Sequence, residues 1–148
     1  MRRRSHQRSV ISRKPKADSR EPAASTGRIE IRVRYSECDP MGVAHHTAYP
    51  VWFEMGRTEL LRATTDLRYR DLEAQGFFLA VVKLDVRYKR PARYDDVLGL
   101  ETTMTGSGRA KLEHAYELFR DGVLLATGST TLVCLDSGGR PRPLPDGL

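Results

Sequence analysis

An α+β fold, an antiparallel five-stranded sheet wrapped around one long helix, is predicted by three features of the chain. Apolar residues alternate in several short segments, a single longer segment repeats them at helical spacing, and the later strands are joined by tight turns.

The first strand is expected from Arg28 to Tyr35, where Ile29, Ile31, Val33 and Tyr35 share one face and Arg28, Glu30, Arg32 and Arg34 the other. Asp39-Pro40 and Met41-Gly42 then break the period and impose an irregular turn. Beyond it Tyr49, Trp52 or Phe53, Gly56, Leu60 and Ala63 recur at helical spacing, leaving Glu54, Arg57, Glu59 and Arg62 for the wetter side. Thr47 is placed as the N-cap, and Pro50 falls in the first turn, where a missing amide proton costs nothing. The helix is therefore expected to start between residues 46 and 49 and to reach residue 64, roughly 24 Å at 1.5 Å per residue.

A shorter helix is expected from Tyr69 to Gln75, stopped by Gly76. From Val82 to Lys89 apolar Val82, Leu84, Val86 and Tyr88 alternate with Lys83, Asp85, Arg87 and Lys89, and Pro91 ends the run. Strands at Val97 to Thr105, Ala110 to Phe119 and Val123 to Leu135 follow, with Gly106-Ser107-Gly108 and Asp121-Gly122 as hairpin connections. Such short joints imply antiparallel neighbours. A sheet with one apolar face needs a cover, and the helix at residues 48 to 64 is the only long candidate, so the sheet is expected to wrap around it.

A chain of 148 residues fits one domain with one core. The net charge of +6 suggests nucleic acid until it is divided along the chain. Residues 1–27 hold eight Lys or Arg against Asp18 and Glu21, which accounts for the whole excess and leaves the remainder neutral. No nucleic-acid or membrane partner is expected on charge. The expected organisation is a disordered basic extension over residues 1–27, a folded domain over 28–137 and a flexible Gly- and Pro-rich tail over 138–148.

Only Cys38 and Cys134 occur, which argues against a disulfide scaffold. No apolar run approaches the ~20 residues of a membrane span, and the N-terminus lacks a secretory apolar segment. A cytoplasmic setting is expected. The alternative is an organelle, since the first residues are rich in Arg and Ser with no acid before Asp18, although Pro15 and Pro22 interrupt any helix there.

The chemistry is expected in the segment from Tyr35 to Tyr49, which puts the Asp39 carboxylate in a turn beside a helix start. Amides in the first turn of a helix lack intrahelical partners and carry partial positive charge, so an oxygen that turns negative during a reaction is stabilised there. Removing one such donor typically costs about 2.7–4 kcal/mol of barrier, which makes the amides near His46 and Thr47 candidates for an oxyanion site.

Tyr35, Asp39, Gly42, His46 and Tyr49, with one extra position at Tyr35, resemble the signature of the 4-hydroxybenzoyl-CoA thioesterase family, the YbgC-like hotdog acyl-CoA thioesterases. The run Val86 to Asp96 is similar to that family's second strand and its exit, and the likeness extends over about residues 28 to 136. The family often has Asn where this chain has Ala48. The resemblance implies the hotdog fold, hydrolysis of an acyl-CoA without a cofactor, and a homodimer or homotetramer with its site near the subunit boundary. It implies Asp39 as nucleophile or as general base for water, with the His46 amide polarising the carbonyl and the His46 ring orienting water or the leaving thiolate. Gly42 would let the turn approach the substrate without a side chain in the way.

Duller readings stand beside these. An Asp before Pro is by itself an ordinary turn former, and Tyr49, Trp52 and Phe53 suit a core as well as a substrate groove. Cys38, Asp39, His45 and His46 are metal-ligating types, yet neighbours in an extended segment point opposite ways, so no metal is expected. Lys89, Arg90 and Arg93 cluster where a strand ends, either as a solvated end or as contacts for coenzyme A phosphates. Two other functions are weighed: a dehydratase of hydroxyacyl thioesters using His46 and Glu54, which lacks the expected Pro-rich segment around its His, and a non-catalytic acyl-CoA-binding module.

Overall fold

The computed structural model describes residues 25–148, so the basic extension expected over residues 1–27 lies outside it except for its last three residues. Those three belong to the fold. Strand β1 spans Thr26–Arg32 and is in register with its neighbour from Thr26, opposite Thr103, which moves the domain boundary back from Arg28. Its far end is shorter than expected. The Val33 N–H and carbonyl pair with Asp96 and Asp95, so the chain leaves the sheet and enters a 3-10 turn at Tyr35–Glu37. Tyr35 is consequently 81% exposed and packs edge-on against Tyr94 instead of joining the core.

Helix α1 spans Ala48–Thr64, close to the predicted range. Tyr49, Trp52, Phe53, Gly56 and Leu60 are buried as expected, but Ala63 is exposed and Arg57, assigned to the wet side, is buried. A short helix α2, Tyr69–Ala74, ends in a turn with Gly76 at φ +79, a left-handed angle that favours glycine.

Four longer strands complete the sheet: β2 Phe78–Tyr88, β3 Val97–Ser107, β4 Lys111–Arg120 and β5 Val123–Leu135. Their order is β1-β3-β4-β5-β2, with every pairing antiparallel. Gly106 and Ser107 lie inside β3, just past an irregularity after Met104, so the β3–β4 joint is later than expected. Asp121 and Gly122 both have positive φ, as a two-residue primed hairpin requires.

The five strands and α1 form the predicted α+β architecture. Trp52 and Phe53 are fully buried in one cluster with Leu98, Leu100, Tyr116, Leu118 and Leu125. Phe53 stacks on Tyr116 with centroids 4.3 Å apart. Each of these large side chains gains roughly 1.5–3 kcal/mol by leaving water, which fixes the start of α1 over the sheet.

Segment 138–148, expected as a flexible tail, is tied back to the domain. The Arg142 amide donates to the Cys134 carbonyl, the Leu144 amide to Arg109, and the Arg142 guanidinium lies over Phe77 while donating to the Gly76 carbonyl. Gly and Pro there mark irregular backbone, which is a different property from lack of contacts.

Candidate active site

The segment between β1 and α1 folds as a small hairpin. Cys38 bridges Ala44, the Asp39 amide donates to the Val43 carbonyl, and the His45 amide donates to the Glu37 carbonyl at 2.7 Å. Asp39 stands at the head of its turn and His46 follows its second limb. The Asp39 Oδ1 accepts the Met41 amide at 2.8 Å, while Oδ2 has no hydrogen bond among the described residues. Asp39 is half-buried. One carboxylate oxygen is thus held by the turn and the other is available.

Gly42 closes this turn at φ +77. A Cβ there would meet no protein atom within 4 Å, so within the chain the glycine answers to backbone conformation.

The His46 amide donates to no group among the described residues. Thr47, the expected N-cap, occupies the cap position in a helical conformation, and its hydroxyl makes no capping bond. Its amide is instead taken by the His45 Nδ1 at 3.3 Å, and the same ring nitrogen lies 2.7 Å from the Thr47 Oγ1. Of the two amides expected to form an oxyanion site, His46 is open and Thr47 is engaged. His45, weighed only as a metal ligand, is the residue that caps the helix.

The two histidine rings lie side by side, with centroids 4.2 Å apart, because the chain turns after His45 instead of continuing extended. Among the described residues no group of three or more His, Cys, Asp and Glu is arranged to hold a metal. The His46 ring is exposed and among the described residues has no hydrogen bond or ion pair with Glu54, which pairs with Arg57 at 3.4 Å.

Tyr88 reaches from the end of β2 to donate its hydroxyl to the His46 carbonyl at 2.9 Å, orienting the peptide that follows His46. Tyr49 packs between Trp52 and Tyr88, and at 3% exposure it lies in the core. Burial pushes its hydroxyl above the ordinary tyrosine range.

Segment 89–96 runs beside the hairpin. The Ala44 amide donates to Ala92 at 2.7 Å, and Val43 bridges Arg93. Asp96 fastens this segment by accepting the Arg93 amide and the Arg120 guanidinium at 2.8 and 2.7 Å. Burial works to raise the Asp96 carboxyl, but those donors outweigh it and hold it below the usual carboxylate range. Lys89, Arg90 and Arg93 are exposed there and form no ion pair among the described residues. Arg93 is therefore presented beside the Asp39 hairpin, and Lys89 and Arg90 lie earlier in the same segment, where their amides donate to the Leu125 carbonyl.

A cleft of about 330 Å³ opens between the Tyr35–Glu37 turn and the first turn of α1. Glu37, Cys38, His45, Thr47, Ala48 and Val51 stand on its walls. Asp39 lies one residue past Cys38, at the edge and outside the lining. Glu37, which the sequence did not single out, has a side chain only 10% exposed. Its Oε1 accepts the Trp52 indole N–H at 3.1 Å and the Arg34 guanidinium at 2.9 Å, and its Oε2 accepts the Arg34 amide at 2.8 Å. Burial raises this carboxyl, and the three donors bring it below its ordinary value.

A family model described as the thioesterase-like superfamily matches residues 33–148. The acyl-CoA thioester hydrolase YbgC of Escherichia coli O6:H1 is 32% identical over 123 residues, covering 82% of this chain and 91% of that one. The acyl-CoA thioesterase YbgC of Haemophilus influenzae is 32% identical over 108 residues, covering 73% and 79%. Among solved structures, a DHNA-CoA thioesterase from Staphylococcus aureus superposes with a TM-score of 0.78 at 34% identity, covering 80% of each chain.

Proposed function

The chain belongs to the thioesterase-like superfamily and is an acyl-CoA thioester hydrolase, and on that premise we propose that Asp39 and the His46 amide are its reacting groups. The observation that carries this reading is the pair of open polar groups on one hairpin: an Asp39 oxygen and a His46 N–H, neither with an acceptor or donor among the described residues. A charged carboxylate facing a thioester whose carbonyl oxygen accepts the His46 N–H has what hydrolysis needs.

The Asp39 carboxylate acts as general base or as nucleophile. As base it takes a proton from water, the water oxygen bonds to the carbonyl carbon, and the negative oxygen rests on the His46 amide. The carbon–sulfur bond then breaks, and the thiolate takes up a proton to leave as coenzyme A. As nucleophile the carboxylate itself forms the new bond, and water cleaves the resulting anhydride. Both routes yield free acid and thiol. A single turnover in heavy-oxygen water identifies the nucleophilic route when label enters Asp39, which happens where water attacks the Asp39 carbonyl of the anhydride. The general-base route places all label in the product acid.

Lys89, Arg90 and Arg93 supply the charge for the phosphates of the coenzyme, an assignment supported by their exposure along segment 89–96 and by Arg93 bridging Val43 of the hairpin. A second copy of the chain is placed against β2, which has a neighbour on one side only and leaves Val82 61% and Leu84 44% exposed. This edge supports a homodimer, or a homotetramer built from it, and light scattering at micromolar concentration that returned a monomer would remove this part of the reading. No helix among the described residues is long and apolar enough to cross a membrane. We place the enzyme in the cytoplasm, in keeping with two unpaired cysteines.

The test is a panel of aliphatic and aromatic acyl-CoA thioesters with detection of released thiol. The wild-type chain is expected to turn over at least one of them, and Asp39→Asn to lose activity by about 10²–10⁴-fold, the range for removal of a positioned acid–base group. An Asn variant with wild-type turnover would end the assignment.

A further inference from the structure

The catalytic hairpin is joined to α1 chiefly through one residue that the reaction itself does not use. The Glu37 side chain accepts the indole N–H of Trp52, a fully buried residue on the core face of α1. Its backbone carbonyl accepts the His45 amide, one residue before the open His46 N–H. Asp39 lies two residues further along the same limb. Arg34 closes the other side by donating both its amide and its guanidinium to the Glu37 carboxylate. One residue therefore grips the helix with its side chain and the second limb of the hairpin with its backbone, while Asp39 hangs from the same short stretch.

We propose that Glu37 is a positioning residue for thioester hydrolysis: by holding Trp52 and His45 at once, it sets where the Asp39 carboxylate stands relative to the His46 amide. The inference rests on the proposed roles of Asp39 and His46. Satisfying the buried Trp52 N–H is the structural duty of this carboxylate; the same residue also takes the His45 amide, next to the open His46 N–H, from a cleft wall at the mouth of the helix. Positioning matters steeply, since misplacing reacting groups by about 1 Å can cost 10²-fold in rate.

The experiment compares Glu37→Ala, Glu37→Gln and Trp52→Phe with Asp39→Asn in the full chain, using whichever thioester the wild type hydrolyses best. Trp52 is the only tryptophan of the protein, so its emission reports directly on whether the indole stays buried in each Glu37 variant. Glu37→Ala is expected to lower kcat by about 100-fold, with KM within about 3-fold and emission still that of a buried indole. Trp52→Phe keeps an aromatic ring in the core but removes the N–H, and kcat should fall about 10-fold. Glu37→Gln retains one oxygen for the indole and should recover most of the loss. In Glu37→Ala/Trp52→Phe the two effects should not add, because both break the same contact.

A folded Glu37→Ala with kcat within about 3-fold of wild type, beside an inactive Asp39→Asn, would overturn the positioning role and leave the catalytic assignment standing. An active Asp39→Asn would instead strike the reading on which this one rests. Should Glu37→Ala fail to fold, Glu37→Gln and Trp52→Phe carry the test: Gln as impaired as a dead enzyme, or Phe with unchanged kcat, each refutes the latch.

Discussion

Two places along α1 hold polar groups without partners among the described residues, and they differ in one respect. At its N-terminal end the His46 N–H and one Asp39 oxygen stand at a partly open surface. Under its middle, Arg57 Nε, Thr102 Oγ1 and His114 Nδ1 are also without partners, but these atoms are buried. A group that water can reach costs little while it waits for a substrate. A group buried without a partner costs about 1–3 kcal/mol whether or not a substrate ever comes. The comparison teaches that open valences near solvent are available to a substrate at little cost, whereas the same valences inside the sheet are drawn from stability.

The largest effect that sharpens the comparison is at Asp39. Asn at this position keeps an oxygen for the Met41 amide, so the turn should survive while activity disappears. Unfolding free energy by urea titration is expected to change by less than about 0.5 kcal/mol, the usual limit for surface substitutions. A large loss of stability would mean that Asp39 belongs with the buried group.

The next effect belongs to the interior. Burial, reinforced by the nearby Arg57 charge, lowers the His114 pKa from 6.5 to about 4. The folded protein therefore holds His114 neutral where the unfolded chain would bind a proton. The stability attached to this is fully present above pH 6.5 and is lost as pH falls from 6.5 toward 4. At 1.36 kcal/mol per unit its size is about 3 kcal/mol. Denaturant midpoints measured from pH 7 to 4 should fall accordingly, and His114→Leu should flatten that part of the profile. An unchanged slope in the variant would assign the acid sensitivity elsewhere.

Gly56 gives a smaller effect at the same place. A Cβ on it would strike the Thr102 hydroxyl oxygen and the Leu100 side chain, and neither belongs to a long flexible chain. Gly56→Ala is expected to lose about 1–3 kcal/mol through overpacking, offset by up to about 1 kcal/mol of helix propensity. A stabilised Ala variant would show that the helix can lift off the polar patch at no cost.

Much of this was legible in the chain. Strands β3 to β5 were readable from alternation and from Asp121-Gly122, because a short hairpin leaves the backbone few ways to turn. The span of α1 followed from its apolar spacing, and the segment proposed as catalytic was singled out by its motif. Tyr35 was misplaced because alternation continues past Arg32, while the chain leaves the sheet when Val33 takes its partners from Asp95 and Asp96. Arg57 was assigned to solvent by residue type, yet its long stem lets it lie within the core beside Glu54. Glu37 was missed although a signal existed: a buried Trp52 requires an acceptor for its N–H, and Glu37 and Asp39 are the two acids in the segment that leads into the helix.

The smallest effect decides who caps the helix. Thr before a helix start predicts a side-chain cap, and its loss would cost typically about 1 kcal/mol. The Thr47 hydroxyl does no capping here; the His45 ring nitrogen takes the amide, and the hydroxyl touches only that nitrogen. Thr47→Ala should therefore cost less than about 0.5 kcal/mol, while His45→Phe, which fills the ring's space but accepts nothing, should cost about 0.5–1.5 kcal/mol, the net worth of one hydrogen bond. Because the freed amide lies at the open end of α1, water can replace the imidazole, and the loss should stay well below the His114 effect. Thermal midpoints of the two variants measured side by side check the order. If Thr47→Ala proves the more damaging, the hydroxyl is the cap after all, accepting the Tyr49 amide, since Pro50 has no N–H to offer.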